Sequence, residues 1–370
     1  MIQKDLECLL KILLREIKMK KIILLIIILL CSGCYDYQEI NNMAIINGIG
    51  VDYQNEEYIL TLEILNIQEK KESTETQEKS YALTARGKTI NEAMNNVESI
   101  VTKKASFSHL EIILISEDLA KKGITDICDY FLRNNFITNN LYLVLAKNKS
   151  PEEILKNKSQ SEKINTVAIV ELLESKNSTF SLSIKDEFDY QVAKIKDNFY
   201  DIFVLSVNLE DEIKLDQVAV FKGDKLKFYL TEDEKQILGL LANKIYNNVV
   251  VNEMGAMDIT KDKVKINYDG EKYIIEIDLL AKLEKLNDEE LYLKNRDDLS
   301  KLESSFRSTL EDRINDLIDS LYRQDTDILG LKKVLYNKNP KEDLSNWQKK
   351  RELKVKLHIN RFGSLFEDMP

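Results

Sequence analysis

Cys34 offers the clearest chemistry in this sequence. It closes the stretch Met19 to Cys34, MKKIILLIIILLCSGC, which has the layout of a lipoprotein signal peptide. Lys20 and Lys21 supply the positive start. Ile22 to Leu30 is an apolar run of nine residues, inside the roughly 7–15 of a signal core and well short of the about 20 that a permanent span requires. Ser32 and Gly33 are small enough to let a peptidase reach the backbone ahead of Cys34. The Cys34 thiol can then carry a diacylglyceryl group as a thioether and become the new N-terminus. Cys31 stands three residues earlier, where Leu is usual. Cleavage by ordinary signal peptidase, or retention as a short uncleaved anchor, are the other readings of the same stretch. Residues 1–18 include Asp5, Glu7 and Glu16 and do not fit a short signal start. Met19 is therefore read as the true start, a juxtamembrane amphipathic helix over residues 1–18 being the other reading, and residues 1–33 stand apart from the fold.

Other residue types that could do chemistry are few. The two histidines, His109 and His358, and the remaining cysteine, Cys128, do not form a metal-binding spacing such as CxxC or HExxH. Ser108 and His109 are adjacent in what reads as the start of a strand, so their side chains should point to opposite faces and cannot act as nucleophile and base. His109 is expected to be a hydrogen-bonded structural histidine. Cys128 sits on the apolar face of a helical stretch, ITDICDYFL, and is expected to be a buried, inert thiol. Paired carboxylates such as Glu232-Asp233-Glu234 read as solvated surface. Phosphate-binding GxGxxG and GxxxxGK[ST] loops are absent. No catalytic constellation, metal or cofactor is expected.

Composition narrows the class further. The 370 residues hold 53 Lys/Arg and 63 Asp/Glu, a formal charge of −10. Residues 1–33 carry six Lys/Arg and three Asp/Glu, +3 in all, which leaves −13 on residues 34–370. Such a body does not suit nucleic acid, whose phosphates need a basic face, nor adhesion to an anionic membrane by charge alone. After removal of the signal and acylation of Cys34, Cys128 is the sole free thiol, so no internal disulfide can form. Only 11 Gly and 3 Pro occur, so the body is built of regular elements.

Those elements alternate. Ala44 to Val51 and Tyr58 to Ile67 read as strands, and Gln68 to Ser80 as an exposed polar loop. Thr89 with Glu92 forms a capping box ahead of a helix whose stripe is Ile90, Ala93, Met94, Val97 and Val101. Leu110 to Ser116 is a buried strand. Helices follow from Glu117 to Gly123 and on to about Asn134, then a strand from Leu141 to Ala146. Ser150, Pro151 and Glu153 open another helix. Residues 157–210 are less patterned: Val167 to Leu173 is helical, Asn177 to Ser183 β-tending. Hairpins are expected across Gly223-Asp224 and across Asp269-Gly270. Thr231 and Glu234 cap a helix running to about Tyr246. A long helix from about Leu299 to Arg323 carries the stripe Leu302, Phe306, Leu310, Ile314, Leu317 and Leu321, and a second runs from Asp327 to Tyr336. Leu353 to Asn360 closes as a strand. The fold class is α/β to mixed α+β, with a hairpin-rich C-terminal part and a long amphipathic helix. The expected domains are 34–155 (N-terminal, α/β), 156–210 (a middle region) and 211–366 (C-terminal).

Several segments together resemble the Ger(x)C family, the C-subunit lipoproteins of spore germinant receptors. Gly33-Cys34-Tyr35-Asp36, Glu39-Ile40-Asn41 and Ala44 to Asp52 resemble the family's opening, with Tyr35 where Trp is usual. Gly87 to Ile90 with Glu92-Ala93 is similar to its first helix start. Phe107-Ser108-His109-Leu110-Glu111, running on to Ala120, resembles its most recognisable block. Ala219 to Leu226 around Gly223, then Asp327 to Gly330, Val334 to Tyr336, Asn339-Pro340 and Trp347, are similar to its second half. Arg361-Phe362-Gly363 departs from the usual Arg-Thr-Gly. The resemblance implies a non-enzymatic subunit, lipid-anchored at Cys34 on the outer face of the inner spore membrane. It implies two integral membrane subunits as partners and a string of α/β domains. Ser108, His109, Glu111, Gly223 and Trp347 are carried as structural motif residues, and no ligand residue is implied. The alternative class is the substrate-binding lipoprotein of an uptake transporter, for which two similar lobes around a hinge would be expected; a third, a lipid-anchored hydrolase, lacks a nucleophile–base pair or metal set.

Overall fold

The structure, a computed structural model, describes residues 43–66, 80–134, 141–157, 164–174, 201–242, 248–287 and 296–361. The chain divides into Met1–Met43 and Ala44–Pro370, and all that follows concerns the second unit apart from Met43, the first residue of its first strand.

Strands β1 (Met43–Gln54), β2 (Glu57–Leu65) and β3 (Ser80–Gly87) form an antiparallel meander. The turn between β1 and β2 is Asn55-Glu56, with φ of 50° and 64°; two successive left-handed residues match the twist of a tight hairpin. β4 (Lys104–Ser106) pairs with β1. Then β5 (Ile112–Ser116), β6 (Tyr142–Lys147) and β7 (Phe203–Leu209) run parallel to β1, and β8 (Ile213–Lys222) and β9 (Lys225–Tyr229) close the edge antiparallel. The result is a nine-stranded mixed sheet of order β3-β2-β1-β5-β6-β7-β8-β9, with β4 beside β1.

All five residues of β5 are buried, because helices cover both faces, as a parallel strand requires. Ile113 and Ile115 face α1 (Ile90–Ile100), α2 (Glu117–Lys122) and α3 (Thr125–Arg133). Ile112 and Leu114 face the other way, into a core shared with α4 (Pro151–Leu155), α5 (Asn165–Glu174) and α6 (Glu232–Leu241). That core continues without a break into a second sheet. The second sheet is four-stranded, β10 (Asn248–Asn252), β11 (Gly255–Tyr268), β12 (Lys272–Leu286) and β13 (Lys350–Arg361), with β13 parallel to β12. Its inner face packs on α7 (Arg296–Arg323) and α8 (Leu331–Lys338). All six residues of the expected α7 stripe, from Leu302 to Leu321, are at most 2% exposed. The mixed α/β class holds.

Several boundaries differ from the sequence reading. The Ser150–Glu153 and Thr231–Glu234 capping boxes are complete. At α1 only half forms: Thr89 Oγ1 accepts from the Glu92 N–H at 3.1 Å, but Glu92 reaches past Thr89 to the Lys88 N–H at 2.9 Å. α8 begins four residues after Asp327, because Asp327 spends its carboxylate on the Leu331 and Lys332 N–H groups instead of joining the helix. The Asp269-Gly270 hairpin is present with a longer loop, Tyr268 pairing with Tyr273, and both strands are longer than expected. β3, β4, β7 and β10 are additions to the sequence reading. The sheet also crosses the expected border at residues 210–211, since β7 pairs with β8. The polar segment 68–79 and the β-tending residues 177–183 lie outside the described residues. Among the described residues, no helix is long and apolar enough to cross a membrane.

Candidate functional site

Two buried polar constructions join distant parts of the chain. The first lies where the nine-stranded sheet meets α8. Asp201, just ahead of β7, is 5% exposed. Its Oδ1 accepts from the Gly223 N–H at 3.0 Å and its Oδ2 from the Asp327 N–H at 2.8 Å. Asp327, 1% exposed, accepts from the N–H groups of Leu331 at 2.9 Å and Lys332 at 2.6 Å. These are orphan donors of the first turn of α8, which a carboxylate satisfies well. Gly330 makes the preceding bend at φ 76°, a left-handed conformation that glycine adopts without cost.

Charge is balanced around that pair. Lys332 Nζ lies 3.9 Å and Lys222 Nζ 3.6 Å from Asp201 Oδ2. Lys222 also pairs with Asp325 at 3.1 Å. The Trp347 indole N–H donates to Asp325 Oδ1 at 3.0 Å, and Lys332 stands over the indole ring at 5.3 Å. The Tyr273 hydroxyl donates to the Trp347 carbonyl at 2.8 Å. Burial pushes the Asp327 carboxyl up to about 6, although its backbone donors and Lys332 pull it down. Burial also raises Asp325, but the indole N–H and Lys222 outweigh it and hold that carboxyl below its usual range.

The second construction pins α5 to the first sheet. Glu63 on β2 is fully buried. One oxygen accepts from Ser80 Oγ at 2.8 Å and the Asn165 N–H at 2.9 Å. The other accepts from the Thr166 N–H at 2.8 Å and from the Thr166 hydroxyl. The carboxylate thus fills the N-terminus of α5. Gly48 lets this helix approach: a Cβ there would lie 2.2 Å from Thr166 Oγ1.

The described site residues expected from the sequence fall into three groups. Gly223 and Trp347 meet in the Asp201–Asp327 network, 22 residues from Asp201 and Asp325 respectively. Glu111 is held against β1: its N–H donates to the Asn47 carbonyl at 3.0 Å, and Asn47 Nδ2 donates to its carboxylate at 3.3 Å. Burial raises the Glu111 carboxyl, countered by Asn47 and His109 and reinforced by Glu174. Ser108 and His109 do not lie on a strand. They form an exposed turn closed by the Leu110 N–H on the Phe107 carbonyl at 3.1 Å, and β5 starts at Ile112. His109 is therefore a surface residue of that turn. Cys34 lies outside the described residues. Cys128 is buried, and burial raises its thiol well above the usual value.

Asp201, Asp325, Lys332, Tyr273, Glu63 and Thr166 were not singled out by sequence reasoning. Single acidic, basic and hydroxyl residues carry no periodic signal, and only the partners brought by folding distinguish them. No cluster of His, Cys, Asp and Glu suited to a metal occurs among the described residues. The buried carboxylates point their oxygens at backbone N–H groups, so the arrangement fastens elements together.

A two-sheet α/β protein whose distant segments converge on an internal fastening is the class this architecture defines. The N-terminal-domain profile of the spore germination proteins matches residues 36–200, and the C-terminal profile described as spore germination B3/GerAC-like matches residues 216–363. The chain belongs to this GerAC-like spore germination family. It is 23% identical to spore germination protein KC of Bacillus subtilis (strain 168) over 90% of this chain and 89% of the relative. It is 24% identical to spore germination protein B3 of the same organism, over 82% and 84%. Among solved structures, the crystal structure of the GerBC protein superposes with a TM-score of 0.52 at 20% identity, covering 84% of this chain and 96% of that one; it shares the fold.

Proposed function

We propose that this chain is the lipid-anchored subunit of a nutrient germinant receptor. It is held through Cys34 on the outer face of the inner spore membrane and assembles with two integral membrane subunits. Its part in germination is assembly and relay by protein contact, without catalysis. The observation that carries this reading is the order of features along the chain: a lipoprotein-type signal ending at Cys34, followed from residue 36 by the two germination-family domains in sequence. The names of the relatives, all spore germination proteins, support the same role. The use of Asp201, Asp327 and Glu63 as backbone fasteners fits a scaffold better than an acid–base site. Two or more acyl chains on Cys34 hold a protein stably on a bilayer, because each buried CH₂ contributes about 0.8 kcal/mol.

The test is intact-mass analysis of the protein recovered from spore membranes, paired with Cys34→Ala. A mature chain starting at Cys34 and carrying diacylglycerol is expected. The variant should leave the membrane fraction and slow germination. Normal membrane retention of Cys34→Ala would sink the anchoring claim, and normal germination would sink the receptor role.

A further inference from the structure

The outer face of the four-stranded sheet carries more positive charge than its own carboxylates balance. Strand alternation puts Ile274, Glu276, Asp278 and Leu280 of β12 on this face, opposite to the buried Ile275, Ile277 and Leu279. The register sets Lys265 of β11 and Lys354 of β13 directly beside Glu276, and Lys263 and Lys356 beside Asp278. Each carboxylate therefore stands between two ammonium groups and can neutralise only one. Lys354 approaches Glu276 at 3.6 Å. Lys263, Lys265 and Lys356 make no ion pair with a described residue. All four lysines are exposed, in a chain whose overall charge is −10. They surround a shallow depression of ≈ 240 Å³. Half-buried Ile274 and Leu280 precede Glu276 and follow Asp278 on the same face of β12.

We propose that this face docks an acidic, extended polypeptide segment of a partner protein. Along β11 and along β13 the lysines repeat every second residue, a spacing of about 6.6 Å. Carboxylates at alternate positions of an extended segment repeat at the same interval, so one such segment can match a lysine column rung for rung. Ile274 and Leu280 give its apolar residues a place to rest at either end. An anionic bilayer is a poorer fit. It would press phosphates onto Glu276 and Asp278 as well as onto the lysines, whereas a narrow segment lays its charges over one column and clears the central carboxylates. Complementary charge of this kind sets partner choice and encounter rate more than raw affinity. The surface serves this purpose with or without the lipid anchor.

The experiment uses the full chain with a fluorescent octapeptide of alternating Val and Glu, its Val-Lys counterpart, and phosphatidylglycerol vesicles. The acidic peptide should bind, the basic one should not, and affinity should fall steeply between about 50 mM and about 500 mM salt. The pair Lys263→Glu/Lys356→Glu should weaken binding at least about ten-fold. The milder pair Lys263→Gln/Lys356→Gln replaces it if charge reversal disturbs folding. Lys225→Glu/Lys227→Glu, on exposed positions of β9, should leave binding unchanged. Absence of acidic-peptide binding overturns the proposal. So does an equal loss in the β9 control, and so does vesicle binding that the Lys263/Lys356 variants abolish while the peptide does not bind.

Discussion

The carboxylate of Asp201 accepts the backbone N–H of Asp327 at 2.8 Å, and the Asp201 N–H returns a hydrogen bond to the Asp327 carbonyl at 3.0 Å. Two residues 126 apart in sequence thus share a reciprocal clasp inside the protein. It holds the start of β7 in the first sheet against the segment that begins α8 beside the second.

Asp201→Ala removes the acceptor for the buried N–H of Asp327 and the part-buried N–H of Gly223. Each unsatisfied donor costs about 1–3 kcal/mol. Lys332, itself 6% exposed, would also lose its buried counter-charge. Chemical denaturation should show a loss of at least about 2 kcal/mol. A loss below about 0.5 kcal/mol would mean that the clasp contributes no more than an ordinary surface contact.

The raised Asp327 carboxyl makes a signed prediction. Its folded-state value of about 6 lies above the ordinary 3.8, so the folded protein binds this proton more tightly than the unfolded chain does. Stability from this group is greatest below pH about 4 and is lost as pH rises towards about 6. The other carboxylates act in their own directions, so the informative quantity is a difference. The stability of the parent minus that of Asp327→Asn should decline from pH 4 to pH 6 and level off above that. A flat difference across this window would remove the claim that burial dominates at Asp327.

Gly48→Ala should force Thr166 aside, since the new Cβ would meet its hydroxyl at 2.2 Å. Overpacking of this kind costs about 1–3 kcal/mol. Thr166→Ala alone costs the hydroxyl's bond to Glu63 but leaves room. In the double variant the clash is gone, so the two losses should sum to more than the measured total. Strict additivity in a double-mutant cycle would contradict the close approach.

Much of the framework was legible before folding was considered. The capping signals at Ser150 and Thr231 depend on residues three apart, and both formed in full. The α7 stripe and the alternation of Leu353, Val355, Leu357 and Ile359 against Lys354, Lys356 and His358 are periodic patterns. Each matches the observed burial: the aliphatic residues from Val355 to Ile359 are at most 7% exposed. The edge strands β3 and β10 are less legible, because an edge strand owes its state to the neighbour it pairs with. The turn at Ser108-His109 is hidden in the sequence for a related reason. The apolar run that begins at Leu110 looks continuous, but the Leu110 N–H bonds back to Phe107 and delays the strand to Ile112.

By itself the sequence determined the signal-like start ending at Cys34, the acidic and glycine-poor body, the helices with their caps, and the family to which the motifs point. Those properties rest on composition and on spacings of a few residues. Only the tertiary structure decided that β7 and β8 share a sheet across the expected border, that Asp201 reaches both Gly223 and Asp327, and that Glu63 fills the start of α5. It also decided that four lysines from β11 and β13 flank two carboxylates of β12. Apart from the β7–β8 and β11–β12 hairpins, each of these is a pairing over long sequence separation. No local propensity encodes it, and it becomes determinate only when burial of the shared apolar core fixes which strands and helices are neighbours.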